Sequence, residues 1–501
     1  MTDEGMIQKA ASPPAGGSTI AVNLAMPRQQ IVGFGTALTE ASANVVNGLP
    51  TAMQSQLLDA YFGASGSGYT LTRTHIGSCD FALSQYSYDD NGPDPTLANF
   101  SIAHDNALLI PFLKAALTSS GGALKVLSSP WSAPGWMKDN GMMQGSGGQD
   151  GSLLSQYYGA YAQYLSKYVQ AYTAAGVPIW AITPQNEPMG VGGSREGMKW
   201  SDTQMNQFIR DNLGPQFKTD GVTSKIFIYD HNKAPATVSP GPLSWAKTIL
   251  GDSMTNPFVA GTAVHWYGTT YETDEDTLDA INALDQSKSI LFDEGCADNL
   301  GAAGQSTNWM QDDYYWTKDE ADWGYSYAVP DGTTPVTPDG TKKDHPIYEP
   351  VYRYVRDAIV GLNHWYVGFI DWNGFLDQNG GAGHLPNPVA AGIMIDTNAK
   401  TAYYTPIYYV LQQFSKFMVP GSKVLATTVT VDSSVATTDY DGTPTQDGNA
   451  LLATSAQTPN GAVIVVVFNE TGKAIPYSVT IGSATFATTI PAQAVQTLVS
   501  N

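Results

Sequence analysis

Charge is scarce in this sequence and one-sided where it occurs. Asp, Glu, Lys and Arg make up 14 % of the residues, and 45 acidic side chains face 24 basic ones, for a formal net charge of −21. Lys and Arg form no cluster, so a polyanionic partner would be repelled and nucleic acid is excluded as a partner. A neutral substrate meets no such penalty, and an acidic surface is compatible with work at low pH. Cysteine is nearly absent: Cys79 and Cys296 are too few for a disulfide framework and read as buried free thiols. The seven histidines form no HExxH or other paired spacing and no CxxC occurs, so no metal site is implied. The glycine-rich stretches GSGYT and GSGGQ lack a P-loop lysine and the dinucleotide spacing, and no Gly-x-Ser-x-Gly elbow is present, so no cofactor is expected. No apolar run reaches the ~18 residues of a membrane span, and the start, MTDEGMIQKAASPPAGGS, has no signal-peptide core. The chain reads as soluble as written, with export, localisation and oligomeric state left open.

What is abundant is Gly (50), Tyr (27) and Trp (11), which fits a large core with ring-rich clefts. At 501 residues the chain is too long for one ordinary core. It suits a large α/β barrel with an appended domain, or two to four smaller domains. Short apolar runs recur between longer helical stretches: YTLTRTHI (69–76), LKVLS (124–128), PIWAIT (178–183), KIFIY (225–229), TAVHW (262–266), SILF (289–292) and VGFID (367–371). Between two of them Leu153, Tyr157, Tyr161, Leu165, Tyr168 and Tyr172 fall at spacings of three and four before Gly176, an amphipathic helix with a glycine stop. Strand alternating with helix predicts a parallel sheet, here a (β/α)8 TIM barrel.

After about residue 420 strands continue without helices, in KVLATTVTV, ALLATSA, AVIVVVFNE, IPYSVTI and AVQTLVS. The expectation is a small antiparallel β-sandwich, to which the alternating N-terminal stretch STIAVNLAM adds a strand. The domain reading is therefore residues 1–30 as an arm and strand joining the β domain, 31–412 as the barrel and 413–501 as the sandwich.

In such a barrel the chemistry sits at the C-terminal ends of the strands. Two glutamates stand there: Glu187 after PIWAITPQN and Glu294 after SILFD. The alternative for each is a solvated loop carboxylate. Glycoside hydrolysis needs one protonated and one ionised carboxyl, about 5 to 5.5 Å apart in a retaining enzyme. The stretch between the two glutamates holds three more candidate strands, as positions after strands four and seven require. Asn186, beside Glu187, supplies an amide suited to a sugar 2-hydroxyl.

The sequence resembles glycoside hydrolase family 30, the glucosylceramidase-like retaining β-glycosidases, through nearly its whole length. The motifs stand in order: IVGFGTALTEA (31–41), RTHIGSCDF (73–81), SSPWSAPGWMKDNG (128–141), ITPQNEP (182–188), VHWYG (264–268), FDEGCA (292–297), DWNGFLDQNGG (371–381) and FSKFMVPGS (414–422). The resemblance implies Glu187 as acid/base and Glu294 as nucleophile. It implies that Asp80, Trp131 and Trp372 hold the sugar, that Asn186 holds the 2-hydroxyl, and that Tyr267 hydrogen-bonds the nucleophile. Arg73 would keep the acidic floor paired, or serve only as a structural ion-pair partner. His265 is a supporting residue whose plainer reading is a satisfied core histidine. Core packing is likewise the plainer reading of the two tryptophans outside their motifs.

The implied substrate is a β-glucoside, glucosylceramide-like or simple, with β-1,6-glucan cleaved endo or exo as the alternative and contact with a glycolipid surface compatible. A non-catalytic carbohydrate-binding barrel is the rival from another class. Trp309, Tyr314, Tyr315, Trp316 and Trp323, in the stretch 302–348, are candidates for the far side of the cleft or for a self-packed loop.

Overall fold

The computed structural model describes residues 5–6, 17–193, 195–267, 273–298, 349–385, 387, 389–435 and 450–500; the aromatic stretch 302–348 lies outside them. Eight parallel strands close into a barrel: β2 (Gly33–Ala37), β3 (Leu71–Ile76), β4 (Lys125–Pro130), β5 (Ile179–Ile182), β6 (Lys225–Asn232), β7 (Val259–His265), β8 (Ser289–Glu294) and β10 (Tyr366–Asp371). Seven of these coincide with the apolar runs. The eighth, GFGTA, has no β-branched run to mark it, because backbone passes where side chains would stand. A Cβ on Gly35 would lie 1.9 Å from the Leu71 carbonyl oxygen, so only glycine lets β2 approach β3.

Leu71, Leu127, Phe227, Leu291, Val367 and Ile370 plug the barrel interior, and the second face of each strand packs against the outer helices. The tyrosine-rich helix spans Tyr158–Ala174 and buries Tyr161, Tyr164, Leu165, Tyr168 and Tyr172. Leu153 and Tyr157 of the predicted stripe precede it. Gly176 stops it with φ +90°, and the Val177 N–H donates to the Tyr172 carbonyl at 2.9 Å.

The second body is one seven-stranded sheet in the order β19-β18-β1-β15-β16-β17-β20. Its members are β1 (Ser18–Gln30), β15 (Lys423–Thr430), β16 (Leu451–Gln457), β17 (Val463–Asn469), β18 (Ile475–Ile481), β19 (Ala484–Ile490) and β20 (Ala494–Ser500). The Tyr477 hydroxyl donates to Gln496 Oε1 at 3.0 Å, tying β18 to β20. The sheet thus folds over Ile20, Leu425, Val465, Val467 and Val479 as a sandwich. Its pairings are antiparallel except one: β1 runs parallel to β18, because β15 and β18 run in opposite directions and a strand between them can be antiparallel to only one. Pro27 cannot donate to the ladder, and the β1–β15 register shifts on both sides of it.

The helix Glu349–Asn363 joins the two bodies. Arg356 pairs with Glu470, Asn363 Nδ2 donates to the Ala453 carbonyl at 2.9 Å, and Tyr352 meets Phe468 with ring centroids 5.6 Å apart. At the mouth of the barrel, β9 (Ala297–Asp298) pairs with β12 (Val389–Ala390) and links the segments that follow β8 and β10.

Candidate active site

The mouth of the barrel is organised around one cation. Arg73, on β3 with no exposed surface, sends Nη1 to Glu294. Its Nη2 meets Asn186 Oδ1 at 2.8 Å and Asp230 Oδ1 at 2.9 Å, and its Nε lies 3.4 Å from Asp293. Burial alone would depress the guanidinium, but Asp230, Glu294 and Asp293 outweigh that and raise it, so it stays charged. His265, the last residue of β7, is also fully buried, with Nε2 2.7 Å from Asp230 and Nδ1 3.5 Å from Glu187 Oε1. Burial opposes its charge, yet Glu294, Asp230, Glu187 and Asp293 raise it well above the usual histidine range, making it a second fixed cation. Burial and the Asp230 charge push Asp293 the other way, far above the ordinary carboxyl range, towards the neutral acid.

Asp230, His265 and Asp293 offer ligand atoms close enough for a metal ion. The Asp230 carboxylate, however, already accepts from Arg73, His265 and Thr183. Three donors on one carboxylate make this an ion-pair network rather than a vacant cage.

Glu187 stands beyond β5 with φ +49°, a left-handed backbone that costs about 1 kcal/mol in a non-glycine residue. The loop is pinned to its neighbours: the Glu187 N–H donates to the Asp230 carbonyl and the Asn186 N–H to the Pro130 carbonyl, each at 2.8 Å. Gln185 Nε2 donates to the Trp131 carbonyl at 2.7 Å. Glu294 closes β8, paired in register with His265.

Both carboxyls open into one cavity of about 450 Å³, shared with Asp80, Trp131, Asn186, Tyr267 and Trp372. Trp131 and Trp372 stack with centroids 5.3 Å apart, 5.0 and 5.5 Å from the Arg73 guanidinium carbon. Asp80 accepts from Asn387 Nδ2 at 2.7 Å. Among the described residues, Asp80, Trp131, Asn186, Glu187, Tyr267, Glu294 and Trp372 therefore line this cavity, and Arg73 and His265 form the charged floor beneath it; Trp309, Tyr314, Tyr315, Trp316 and Trp323 lie outside the described residues. The Tyr267 hydroxyl, expected against Glu294, lies 3.3 Å from Cys296 Sγ, two residues beyond the glutamate.

Seven lining residues carry no reading from the sequence: Gly190, Val191 and Val389, and the polar Arg195, His231, Asn232 and Asn387. His231 and Asn232 close β6 after the run KIFIY, the same strand-end signal that marks Glu187, and that signal could have found them. Arg195 and Asn387 come from loops with no apolar run ahead of them and carry no such mark.

The two carboxyls differ electrostatically. Burial raises Glu187, but the His265 contact and, in the acid range where His231 is also charged, the charges of His231, Arg195 and His265 more than offset it and hold the carboxyl below its usual range. Burial raises Glu294 too, and there His265 and Arg73 offset it only in part, with Glu187 and Asp230 adding to the rise. In the empty cavity Glu187 is the more readily ionised of the pair.

A (β/α)8 barrel that holds two glutamates at the ends of its fourth and seventh strands, against stacked tryptophans, is the frame of a glycoside hydrolase. Residues 31–311 and 339–418 match the description "Glycosyl hydrolase family 30 TIM-barrel domain", and residues 426–498 match "Glycosyl hydrolase family 30 beta sandwich domain". The chain belongs to glycosyl hydrolase family 30. It is 28 % identical over 455 residues to the lysosomal acid glucosylceramidase of Mus musculus, covering 90 % of this chain and 77 % of that one. It is 28 % identical over 462 residues to the endo-1,6-beta-D-glucanase BGN16.3 of Trichoderma harzianum, covering 89 % and 79 %. The crystal structure of SrfJ from Salmonella typhimurium superposes with a TM-score of 0.79 at 25 % identity, covering 99 % of this chain and 95 % of that one.

Proposed function

We propose that this glycosidase hydrolyses β-glucosidic bonds with retention, Glu294 attacking the anomeric carbon and Glu187 serving as proton donor and then as base. The observation that carries the reading is that both carboxyls face one cavity with Asp80, Asn186 and the Trp131–Trp372 pair. In the first step a bond forms from a Glu294 oxygen to the anomeric carbon, the glycosidic bond breaks, and the leaving oxygen takes the Glu187 proton. In the second, water gives its proton to Glu187 and displaces Glu294, so two inversions restore the β configuration. Arg73 keeps Glu294 ionised and turns Asn186. Because a guanidinium only donates, the oxygen of the Asn186 amide faces Arg73 and its N–H groups serve the sugar 2-hydroxyl. A tryptophan face suits the axial C–H groups of a pyranose, and Asp80 accepts from its hydroxyls.

For the substrate we propose a β-glucoside of the glucosylceramide or simple β-glucoside type. A second reading, β-1,6-glucan, rests on the likeness to the Trichoderma glucanase. Gentiobiose, β-1,6-glucan and glucosylceramide assayed side by side separate the two by the product each releases. Proton NMR of early hydrolysis should show the β anomer first. A 2-deoxy-2-fluoro glucoside with a good leaving group should trap an adduct on Glu294. The α anomer first, or the label on another residue, would overturn the mechanism.

A further inference from the structure

Glu187 presents two oxygens to the cavity, and a cation faces each. His265 Nδ1 stands 3.5 Å from Oε1, and Arg195 Nη2 donates to Oε2 at 3.1 Å. A carboxyl so held is kept as carboxylate and has no oxygen turned to a glycosidic bond, whereas a proton donor must be neutral when the substrate is bound. One of the two cations has to leave. His265 has no exposed surface, lies in β7 and is fixed to Asp230 at 2.7 Å, so it stays. Arg195 sits on the loop after β5 with its side chain 30 % exposed. Its charge is stabilised by Asp80 and Glu187 and, more weakly, by Glu294, all groups that the incoming sugar engages.

We propose that Arg195 is a substrate-displaced counter-ion of Glu187: it pairs with the carboxyl in the empty site, gives way when a glycoside enters, and so arms the proton donor only in the occupied site. This rests on the acid/base reading of Glu187 and adds the device that sets its timing. When Asp80 takes sugar hydroxyls, Arg195 loses one partner, the leaving group then displaces it from Oε2, and the freed carboxylate takes up a proton from solvent. Once Glu187 has passed its proton to the leaving oxygen, the new carboxylate is again a partner for the guanidinium. The other groups around Glu187 stay in place: Asp80 beyond β3, His231 and Asp230 on β6, His265 on β7 and Glu294 on β8. Burial holds His231 down to about 4, so it adds no cation at neutral pH.

The test compares pH profiles of wild type, Arg195→Gln and Arg195→Lys on an alkyl β-glucoside, whose leaving group needs a proton, and on a dinitrophenyl β-glucoside, whose leaving group does not. In the free enzyme Glu187 ionises before Glu294, so on the alkyl glucoside the acid limb of kcat/KM reports Glu187, whereas in the complex, where Glu187 holds its proton, the alkaline limb of kcat reports it. Removing a cation raises a carboxyl. In Arg195→Gln the acid limb of kcat/KM on the alkyl glucoside should therefore move to higher pH by about one unit, with the kcat limb unmoved and Arg195→Lys close to wild type. The dinitrophenyl glucoside should show no such shift. A folded Arg195→Gln enzyme whose kcat/KM limb stays put, or whose two limbs move together, overturns the proposal. Equal losses of Glu187→Ala on both glucosides would instead overturn the acid/base reading beneath it.

Discussion

At the scale of single residues the site is a contest between burial and paired charge, and Arg73 decides it. Replacing Arg73 by Met would leave Asp230 and Glu294 buried without their shared cation, at a cost of about 3 to 5 kcal/mol. Arg73→Lys should recover only part of this, since one ammonium cannot reproduce a planar fork that reaches Glu294, Asn186 and Asp230 together; urea unfolding of the three proteins checks the order. Glu187→Ala should lose about 10²- to 10⁴-fold on alkyl glucosides and far less on dinitrophenyl glucosides, with azide restoring the second step. Because Glu294 must be ionised and its carboxyl is raised, the acid limb of kcat/KM on a dinitrophenyl glucoside, whose leaving group needs no proton, should lie above the ordinary glutamate value of about 4.3. The charge on His265 carries a stability signature as well. Its folded value is raised, so its contribution is complete below the unfolded value of about 6.5 and is lost as pH rises through the folded one. Thermal scans from pH 6 to 10 should show wild type losing stability over that range relative to His265→Gln, and parallel curves would contradict it.

At the scale of elements, the sequence was most legible where one signal sufficed. An apolar run followed by a polar residue located seven of the eight barrel strands and, at the ends of β5 and β8, both glutamates. It missed β2, where glycine replaces side chains to permit close approach, and it passed over His231 although that residue closes β6 in the same way. Arg195 and Asn387 were beyond reach because loops bring them to the cavity from places that no periodicity marks. The tyrosine helix shows a similar limit. Its spacing announced an amphipathic face, but not that Tyr172 on it shares one acid with two tyrosines from the segment after β3: Tyr172 and Tyr88 donate to Asp105 Oδ2 at 2.5 and 2.6 Å, and Tyr86 to Oδ1 at 2.5 Å. Asp105 is 1 % exposed and sits between the helix and the segment that follows β3. Asp105→Ala should therefore cost about 2 to 4 kcal/mol, since three buried phenols lose their acceptor. A loss below about 1 kcal/mol in chemical unfolding would mean that the phenols find other partners.

At the scale of the whole molecule, the question is why a barrel enzyme carries a sandwich sheet with an interior strand from the other end of the chain. β1 pairs on one side with β15 and on the other with β18, so the sheet closes only when residues some four hundred positions apart have met. The helix Glu349–Asn363 packs on this sheet through the Arg356–Glu470 pair, and the chain runs from that helix into β10 and on to Trp372. The sandwich thereby braces the strand that ends in the sugar pocket. Weakening the sheet far from the cavity should accordingly unfold the pocket with it. Ile20 has no exposed surface and packs inside the folded sheet, so Ile20→Ala should cost about 2 to 5 kcal/mol. Loss of activity, tryptophan fluorescence and far-ultraviolet dichroism should shift together to lower denaturant in one transition. Two separated transitions, with activity surviving the first, would show that barrel and sandwich are independent units and that the bracing through Arg356 and Glu470 has no bearing on the site.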